Sequence, residues 1–186
     1  MGKFTNPFLV ALKLFGIQLI VVFASVMLMP TFYALIESNT GIKVYSSITA
    51  FVFLSSYYSR VWDAGKKDGK HVKVYNKHNE DKIQLDYKKG IIIGLIAAIP
   101  NIIGLIALIA ASASGLTNTI YRILQSTFMG WLGNDNLTYI PNCVIVTLIP
   151  ILLSIPAYIT GTKEFSLTDK YLPKIIYKKK PKKKNK

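Results

Sequence analysis

Four long apolar runs constrain the fold of this chain more than any other feature. They cover about residues 14–36, 42–62, 90–113 and 139–160 and hold almost no charged side chains. A helix of about 20 apolar residues spans the ~30 Å hydrocarbon core of a bilayer, and one small soluble core rarely needs four such helices. Hydrophobic residues make up 51% of the 186 positions. The sequence therefore predicts an all-α integral membrane bundle of four transmembrane helices.

Positive charge lies between and after these runs and predicts how the chain is oriented. Of the 23 Lys and Arg residues, nine lie within residues 60–89 and ten within residues 163–186, while the two other links hold one each. Cytoplasmic loops accumulate Lys and Arg. We therefore expect a membrane domain over residues 1–165, located in the cell membrane, with both termini cytoplasmic. A cytoplasmic loop would cover residues 63–89, and a basic, disordered tail would cover residues 166–186.

The first apolar run is expected to begin as a helix in the cytoplasmic interface. Asn6 is a favourable N-cap, and Pro7 suits the first helical position, where its missing N–H costs nothing. The run to Ile36 exceeds the length of a bilayer core, so Lys13 would lie near the head groups, because a charge at the midplane is costly. The run is also too long for the apolar centre of a secretory signal, so we expect a retained anchor.

The stretch from residue 118 to residue 132 leaves two interpretations open. One face of a helix is outlined there by residues at helical spacing, namely Ile120, Leu124, Thr127 or Phe128, and Trp131. Arg122 and Gln125 lie on the opposite face. One interpretation is an extra amphipathic helix lying in the outer interface of the membrane. The other is a half-span that dips into the bundle.

Two groups of lysines are candidate binding sites for anionic lipid. Lysines near an anionic leaflet are attracted to it. Because these lysines flank apolar segments, membrane lipid is favoured over nucleic acid as the partner. The candidates are Lys66, Lys67 and Lys70 in the expected loop, and Lys178, Lys179, Lys180, Lys182, Lys183 and Lys184 in the tail.

Gly65 and Gly69, beside the first group of lysines, are similar to the glycines of a phosphate-binding loop. Only three residues separate Gly65 from Gly69, and His71 follows Lys70, so the P-loop pattern is absent. Backbone amides around these glycines could still hold a lipid phosphate. A solvated charged turn is the alternative.

Candidate catalytic and metal-binding groups are scarce. His71 and His78 are the only histidines, and a metal site usually needs three or four converging ligands. Val72 and Val74 alternate with polar residues, which allows a short extended segment there. None of the nine acidic residues lies well inside an apolar run, so an intramembrane relay is disfavoured. The single Cys143 is expected to be a structural thiol. We predict no catalytic residues, no metal and no cofactor.

Pro100 and Asn101 are the hinge and polar candidates inside the membrane. They lie near the middle of the third run, where Gly94 and Gly104 keep the helix slim. Small residues permit close helix approach and an amide can hydrogen-bond across helices, so helix packing is one interpretation. The other is a hinge or polar contact that lines a permeation path.

Three segments carry a resemblance to known sequences. They read Trp62-Asp-Ala-Gly-Lys-Lys-Asp, then Asp86-Tyr-Lys-Lys-Gly-Ile-Ile-Ile-Gly-Leu-Ile-Ala-Ala-Ile-Pro, and Tyr158-Ile-Thr-Gly-Thr-Lys with an Ile-Ile-Tyr-Lys-Lys-Lys tail. The chain resembles a group of small, four-pass, uncharacterised membrane proteins of low-GC Gram-positive bacteria. The resemblance implies a location in the bacterial cell membrane, and it brings no activity or site residues with it.

Together these observations predict a membrane protein that is not an enzyme. The first hypothesis is a membrane component that binds anionic lipid or a partner protein, such as an accessory or immunity-type subunit. The alternative is a small transporter or channel subunit. That subunit would have to form a homo-oligomer, because four helices leave little room for a pore inside one protomer.

Overall fold

The computed structural model describes residues 4–35, 39–79, 81–111, 115–133 and 136–164, which are mostly helical and contain no β-strand. Four long helices form a bundle, and a short, broken helix packs against them. The elements are α1 (Pro7–Leu35), α2 (Asn39–His78), α3 (Lys88–Ala110), α4 (Gly115–Leu124), a 3₁₀ turn (Ser126–Phe128), α5 (Met129–Leu132) and α6 (Asn136–Thr162). The predicted all-α class is thus confirmed for the described residues.

Three of the long helices are long and apolar enough to cross a membrane. These stretches are Pro7–Phe32, Lys88–Ala110 and Tyr139–Thr162. Their outer surfaces agree with this, because large apolar side chains such as Phe23 and Ile103 are exposed. Water-soluble monomers keep contiguous exposed apolar patches small. These helices match the first, third and fourth predicted runs.

Helix α1 begins where the sequence predicts. The Asn6 side-chain oxygen accepts a hydrogen bond from the Phe8 N–H at 2.9 Å, and Pro7 is the first helical residue. The Asn6 carbonyl oxygen accepts the bond from the Val10 N–H at 3.2 Å. An N-cap of this kind satisfies one of the N–H groups that a helix start leaves without a partner.

Helix α2 differs most from the sequence prediction. It does not end near Trp62 but continues to His78, so residues 63–78 of the expected loop are helical. The short extended segment that the sequence allows around Val72 does not form, because Val72 lies within this helix. One face of this continuation packs against α6, and tertiary packing of this kind overrides the poor intrinsic helix propensity of glycine.

The four long helices run antiparallel to their neighbours in the chain. Thr5 before α1, Asp68 late in α2, Lys89 early in α3 and Tyr158 late in α6 meet at one end of the bundle. We call this the basic end, because most of the described lysines lie around it. Helix α6 packs against both α2 and α3 there.

The segment over residues 115–133 is not one continuous helix. It breaks at Gln125, where the 3₁₀ turn separates α4 from α5. Residues 125–128 are buried, whereas Ile120 and Trp131 are exposed. The stretch predicted as one extra amphipathic helix is therefore divided into two short helices, and its place in the outer interface stays a prediction.

The broken segment reaches deep into the bundle. The Ser126 hydroxyl donates to the Val22 carbonyl oxygen at 3.4 Å. Val22 lies near the middle of α1, roughly 22 Å along the axis from Pro7 at 1.5 Å per residue. Tyr121 is buried in the same region, where its hydroxyl donates to the Cys143 carbonyl oxygen at 3.1 Å.

Candidate functional site

A buried carboxylate organises the basic end. Asp68 is 1% exposed, and its oxygens accept hydrogen bonds from three other residues. The Thr5 N–H donates to Oδ1 at 2.7 Å and the Thr5 hydroxyl to Oδ2 at 2.8 Å. The Lys89 ammonium and the Tyr158 hydroxyl donate to Oδ2 at 2.6 and 2.7 Å. One side chain therefore connects α2 to the segment before α1, the start of α3 and the end of α6.

The donors around Asp68 keep it ionised. Burial alone would raise the pKa of this carboxyl group, but the hydrogen bonds from Lys89, Thr5 and Tyr158 together lower it below the ordinary aspartate value. The Lys89 ammonium also lies 5.3 Å from the centre of the Phe4 ring. A carboxylate bonded on both oxygens and held ionised is a poor proton acceptor, so Asp68 acts as a structural clamp.

Closely spaced glycines bring α2 and α3 against α6. Gly65 and Gly69 of α2 form a G-x-x-x-G pair, as do Gly90 and Gly94 of α3. A Cβ on Gly65 would collide with the backbone carbonyl of Tyr158, and a Cβ on Gly90 would lie 2.9 Å from the Tyr158 Cβ. Small residues at this spacing permit close helix crossings in membrane proteins.

The same close approach continues along α6. A Cβ on Gly69 would collide with the backbone of Thr162, and a Cβ on Gly161 would collide with the Trp62 carbonyl oxygen. Gly65 and Gly69 thus lie inside a helix and face α6, so the anion-binding loop considered for their amides is wrong. The sequence analysis missed their packing role. The signal that could have found it is the four-residue spacing.

A groove runs between α1 and α2 at the basic end. Its wider part has a volume of about 560 Å³ and is lined by Ile17, Ile20, Val21, Ser55, Ser56 and Ser59. Its narrower part has a volume of about 210 Å³, and Lys13 and Lys67 line it. Arg60 and Asp63 line both parts, so the two lie side by side. We call this feature the α1–α2 groove.

Of the lysines predicted as lipid ligands, Lys67 lines this groove. Lys66 instead lies over the Trp62 ring, 4.6 Å from its centre, and Lys70 is exposed outside the groove. The tail candidates Lys178, Lys179, Lys180, Lys182, Lys183 and Lys184 lie outside the described residues. Lys13 and Arg60 were missed as binding residues, because they belong to different apolar runs and only helix packing brings them together.

Asn101 is buried and pairs with a side chain that the sequence analysis did not consider. The Gln18 amide nitrogen donates to the Asn101 oxygen at 2.7 Å, and the Asn101 nitrogen donates to the Gln18 oxygen at 3.2 Å. The two amides therefore bond each other across α1 and α3, which favours the packing interpretation. Pro100 is half-buried, and α3 continues past it to Ala110.

The histidines do not converge on a common site. The His71 ring packs edge-on against Phe4, with 4.5 Å between ring centres, whereas His78 bonds the Val74 carbonyl oxygen on its own helix. Over the described ranges, no three His, Cys, Asp or Glu side chains come close enough to hold a metal ion. Cys143 is a buried free thiol.

Comparisons with known proteins return no relative for this chain. No protein-family model, curated protein or solved structure matches it. The function must therefore be inferred from the groove, the buried clusters and the charge distribution themselves.

Proposed function

We propose that this protein is a four-span component of the cell membrane, with the basic end on the cytoplasmic side, which binds anionic lipid and catalyses no reaction. The observation that carries the proposal is the grouping of cations. Exposed lysines of α2 and the start of α3 lie at the basic end, namely Lys67, Lys70, Lys73, Lys77 and Lys88. In the described ranges, the start of α2 and the α4 region contribute only Lys43 and Arg122 at the other end.

Helix α2 is the fourth span in this proposal. Thr5 and Lys89 bind the same carboxylate, so α1 and α3 begin at the same end of the bundle. If α1 and α3 both cross the bilayer, the chain between them must return, and α2 is the helix that returns it. The polar side chains Tyr45 and Ser46 are buried. The part of α2 before Trp62 can therefore cross beside the other three helices.

The continuation of α2 extends its lysines beyond the apolar part of the bundle. The helix from Trp62 to His78 is roughly 24 Å long, which carries it past the hydrocarbon boundary into the head-group layer. Each Lys near an anionic leaflet contributes about 1 kcal/mol of attraction, which falls off within a Debye length. Anionic lipid head groups are the counterions available at this depth.

The lipid that co-purifies with the full-length protein tests the binding. After mild solubilisation, anionic lipid should be enriched several-fold over its share in the bulk membrane. The enrichment should fall as the salt concentration rises, because salt screens charges at exposed sites. Lipid in bulk proportion at low salt would count against the proposal.

Cysteine labelling on intact cells tests the topology. With Cys143→Ala as background, Val74→Cys places a thiol at the basic end and Leu116→Cys places one near the opposite end, both at exposed positions. A membrane-impermeant maleimide should label the Leu116→Cys variant and not the Val74→Cys variant. Labelling of both from outside would refute the orientation.

A second candidate function, a small oligomeric transporter or channel subunit, is favoured by the broken segment over residues 115–133. Its Ser126 reaches the middle of α1, as a half-span would, and the Gln125 amide nitrogen is buried without an acceptor among the described residues. Many transporters use discontinuous helices near the midplane. A strictly monomeric state in native membranes would remove this candidate.

Replacing Asn101 by Leu separates the two roles considered for that residue. If Asn101 lines a permeation path, the variant should assemble normally and lose transport. If Asn101 packs α3 against α1, the variant should lose assembly or stability, because the Gln18 amide is left buried without its partner.

A further inference from the structure

The α1–α2 groove has the shape and chemistry of a site for one phospholipid. We infer that it binds a single anionic phospholipid with a hydroxyl-bearing head group, of the phosphatidylglycerol type, with the phosphate held by Lys13, Arg60 and Lys67. This inference rests on the proposed function and assigns its lipid affinity to a defined site.

The groove matches the thickness of one membrane leaflet. From Lys13 to Val21, helix α1 rises roughly 12 Å. Half of the ~30 Å hydrocarbon core is roughly 15 Å. An acyl chain that lies along Ile17, Ile20 and Val21 therefore brings its phosphate to the level of Lys13. That level is also the head-group depth, because a lysine is tolerated near the interface and is costly at the midplane.

The charges of the narrower part complement a phosphate diester. The guanidinium of Arg60 is a planar fork that can bond two phosphate oxygens, and each Lys adds a compact positive charge. Lys13, Arg60 and Lys67 are exposed and form no ion pair with another described residue, so their charges are available to a ligand. Even with Asp63 counted, the groove keeps a net positive charge.

Asp63 and the serines determine which anionic lipid fits. An ionised carboxylate only accepts hydrogen bonds, so Asp63 favours a head group that carries hydroxyl donors over a bare phosphate. Ser55, Ser56 and Ser59 follow the groove from the wider part towards Arg60. Their hydroxyls can donate to the ester oxygens, which in a phospholipid lie between the phosphate and the acyl chains.

Native mass spectrometry of the full-length protein in detergent, titrated with phosphatidylglycerol, tests this site. The unmodified protein should show one lipid adduct at low lipid concentration. Lys13→Gln and Arg60→Gln should each weaken that adduct about fivefold to tenfold, as expected for one lost cationic contact. The matched variant Lys82→Gln removes the same charge at an exposed position in the link between α2 and α3, outside the groove, and should leave the adduct unchanged.

Two further variants, with one control, test the shape of the groove and its selectivity separately from its charge. Ser55→Phe fills the wider part and should weaken the adduct without changing any charge, whereas Ile48→Phe, at an exposed position of α2 outside the groove, should not. Asp63→Asn should remove the preference for phosphatidylglycerol over phosphatidic acid.

The outcomes distinguish the groove from the general lipid affinity. Equal losses from the groove cations and from the control Lys82 would overturn the groove site while leaving the proposed function intact. An unmodified protein that binds neutral phosphatidylcholine as well as phosphatidylglycerol would overturn both.

Discussion

Beyond Trp62, helix α2 has two faces in opposite environments. The glycine face, made of Gly65, Asp68, Gly69 and Val72, is buried. The lysine face, made of Lys67, Lys70, Lys73 and Lys77, is exposed. Both faces come from one stretch whose composition is typical of a loop. This contrast shows that composition alone cannot distinguish a solvated loop from a packed helix. The four-residue spacing of small side chains can.

Among the residues that the structure describes, each of these faces forms one ion pair, and the two pairs differ in exposure as the two faces do. Lys89 binds Asp68 of the glycine face at 2.6 Å, with side chains 13% and 1% exposed. Lys73 of the lysine face binds Glu164 at 3.0 Å, with side chains 64% and 33% exposed. Breaking a buried pair leaves a charge without compensation, whereas an exposed pair contributes little.

The largest expected effect comes from adding methyl groups to the glycine face. The double variant Gly65→Ala, Gly69→Ala should lose its folded, monodisperse peak in size-exclusion chromatography. Each new Cβ collides with α6 backbone that cannot rotate away. At about 3 kcal/mol for each overpacked site, the sum is comparable to the whole stability of a domain.

Gly16→Ala is the matched control for this double variant. Gly16 has no neighbour within 4 Å of an added Cβ, and replacing a helical glycine by Ala should stabilise α1 by about 0.5–1 kcal/mol. If both variants behave alike, the close crossing of α2 and α6 is refuted.

The next largest effect is expected from removing the cation of the buried pair. Lys89→Met should lower the free energy of unfolding by about 3 kcal/mol, because it leaves the buried Asp68 carboxylate without its cation. This is the lower end of the range for a broken buried ion pair, since Thr5 and Tyr158 still donate hydrogen bonds to Asp68. Lys73→Met is the control and should leave the free energy of unfolding unchanged. Thermal or denaturant unfolding in micelles measures both, and similar losses in the two variants would contradict the contrast between the pairs.

A smaller, pH-dependent effect is expected at Asp68. Its pKa is lower in the folded protein than in the unfolded chain, so its contribution is present above the unfolded value of about 3.9 and is lost as the pH falls through the folded value. The stability gap between the unmodified protein and Asp68→Asn should therefore be steady from about pH 7 to pH 5 and shrink below about pH 4. Unfolding midpoints across this range measure it, and a gap that widens in acid would contradict it.

The smallest expected effect on stability lies on the lysine face. Lys77→Ala should change the free energy of unfolding by less than about 1 kcal/mol, because Lys77 is exposed and its charge contributes only a modest attraction to the C-terminus of α2. The same variant should slightly lower the enrichment of anionic lipid. A large loss of stability would show that this face is packed as well.

Some predictions from the sequence depended only on local signals, and these agree with the structure. An N-cap followed by Pro determined the start of α1, and runs of apolar residues determined the three helices that are apolar enough to span a membrane. The end of α2 was predicted wrongly, because glycines and charges were interpreted by composition rather than by spacing.

What only the tertiary structure decided is which distant residues meet. Lys13 and Arg60 share a groove, Gln18 bonds Asn101, and Asp68 bonds Lys89. No local pattern marks such pairs, because each depends on how two helices are rotated and offset against one another. The apolar runs and charge blocks thus determined by themselves that this chain builds an apolar helical bundle with a basic end. The packing of glycines against α6 determined which polar groups at the basic end are buried and which remain accessible to a ligand.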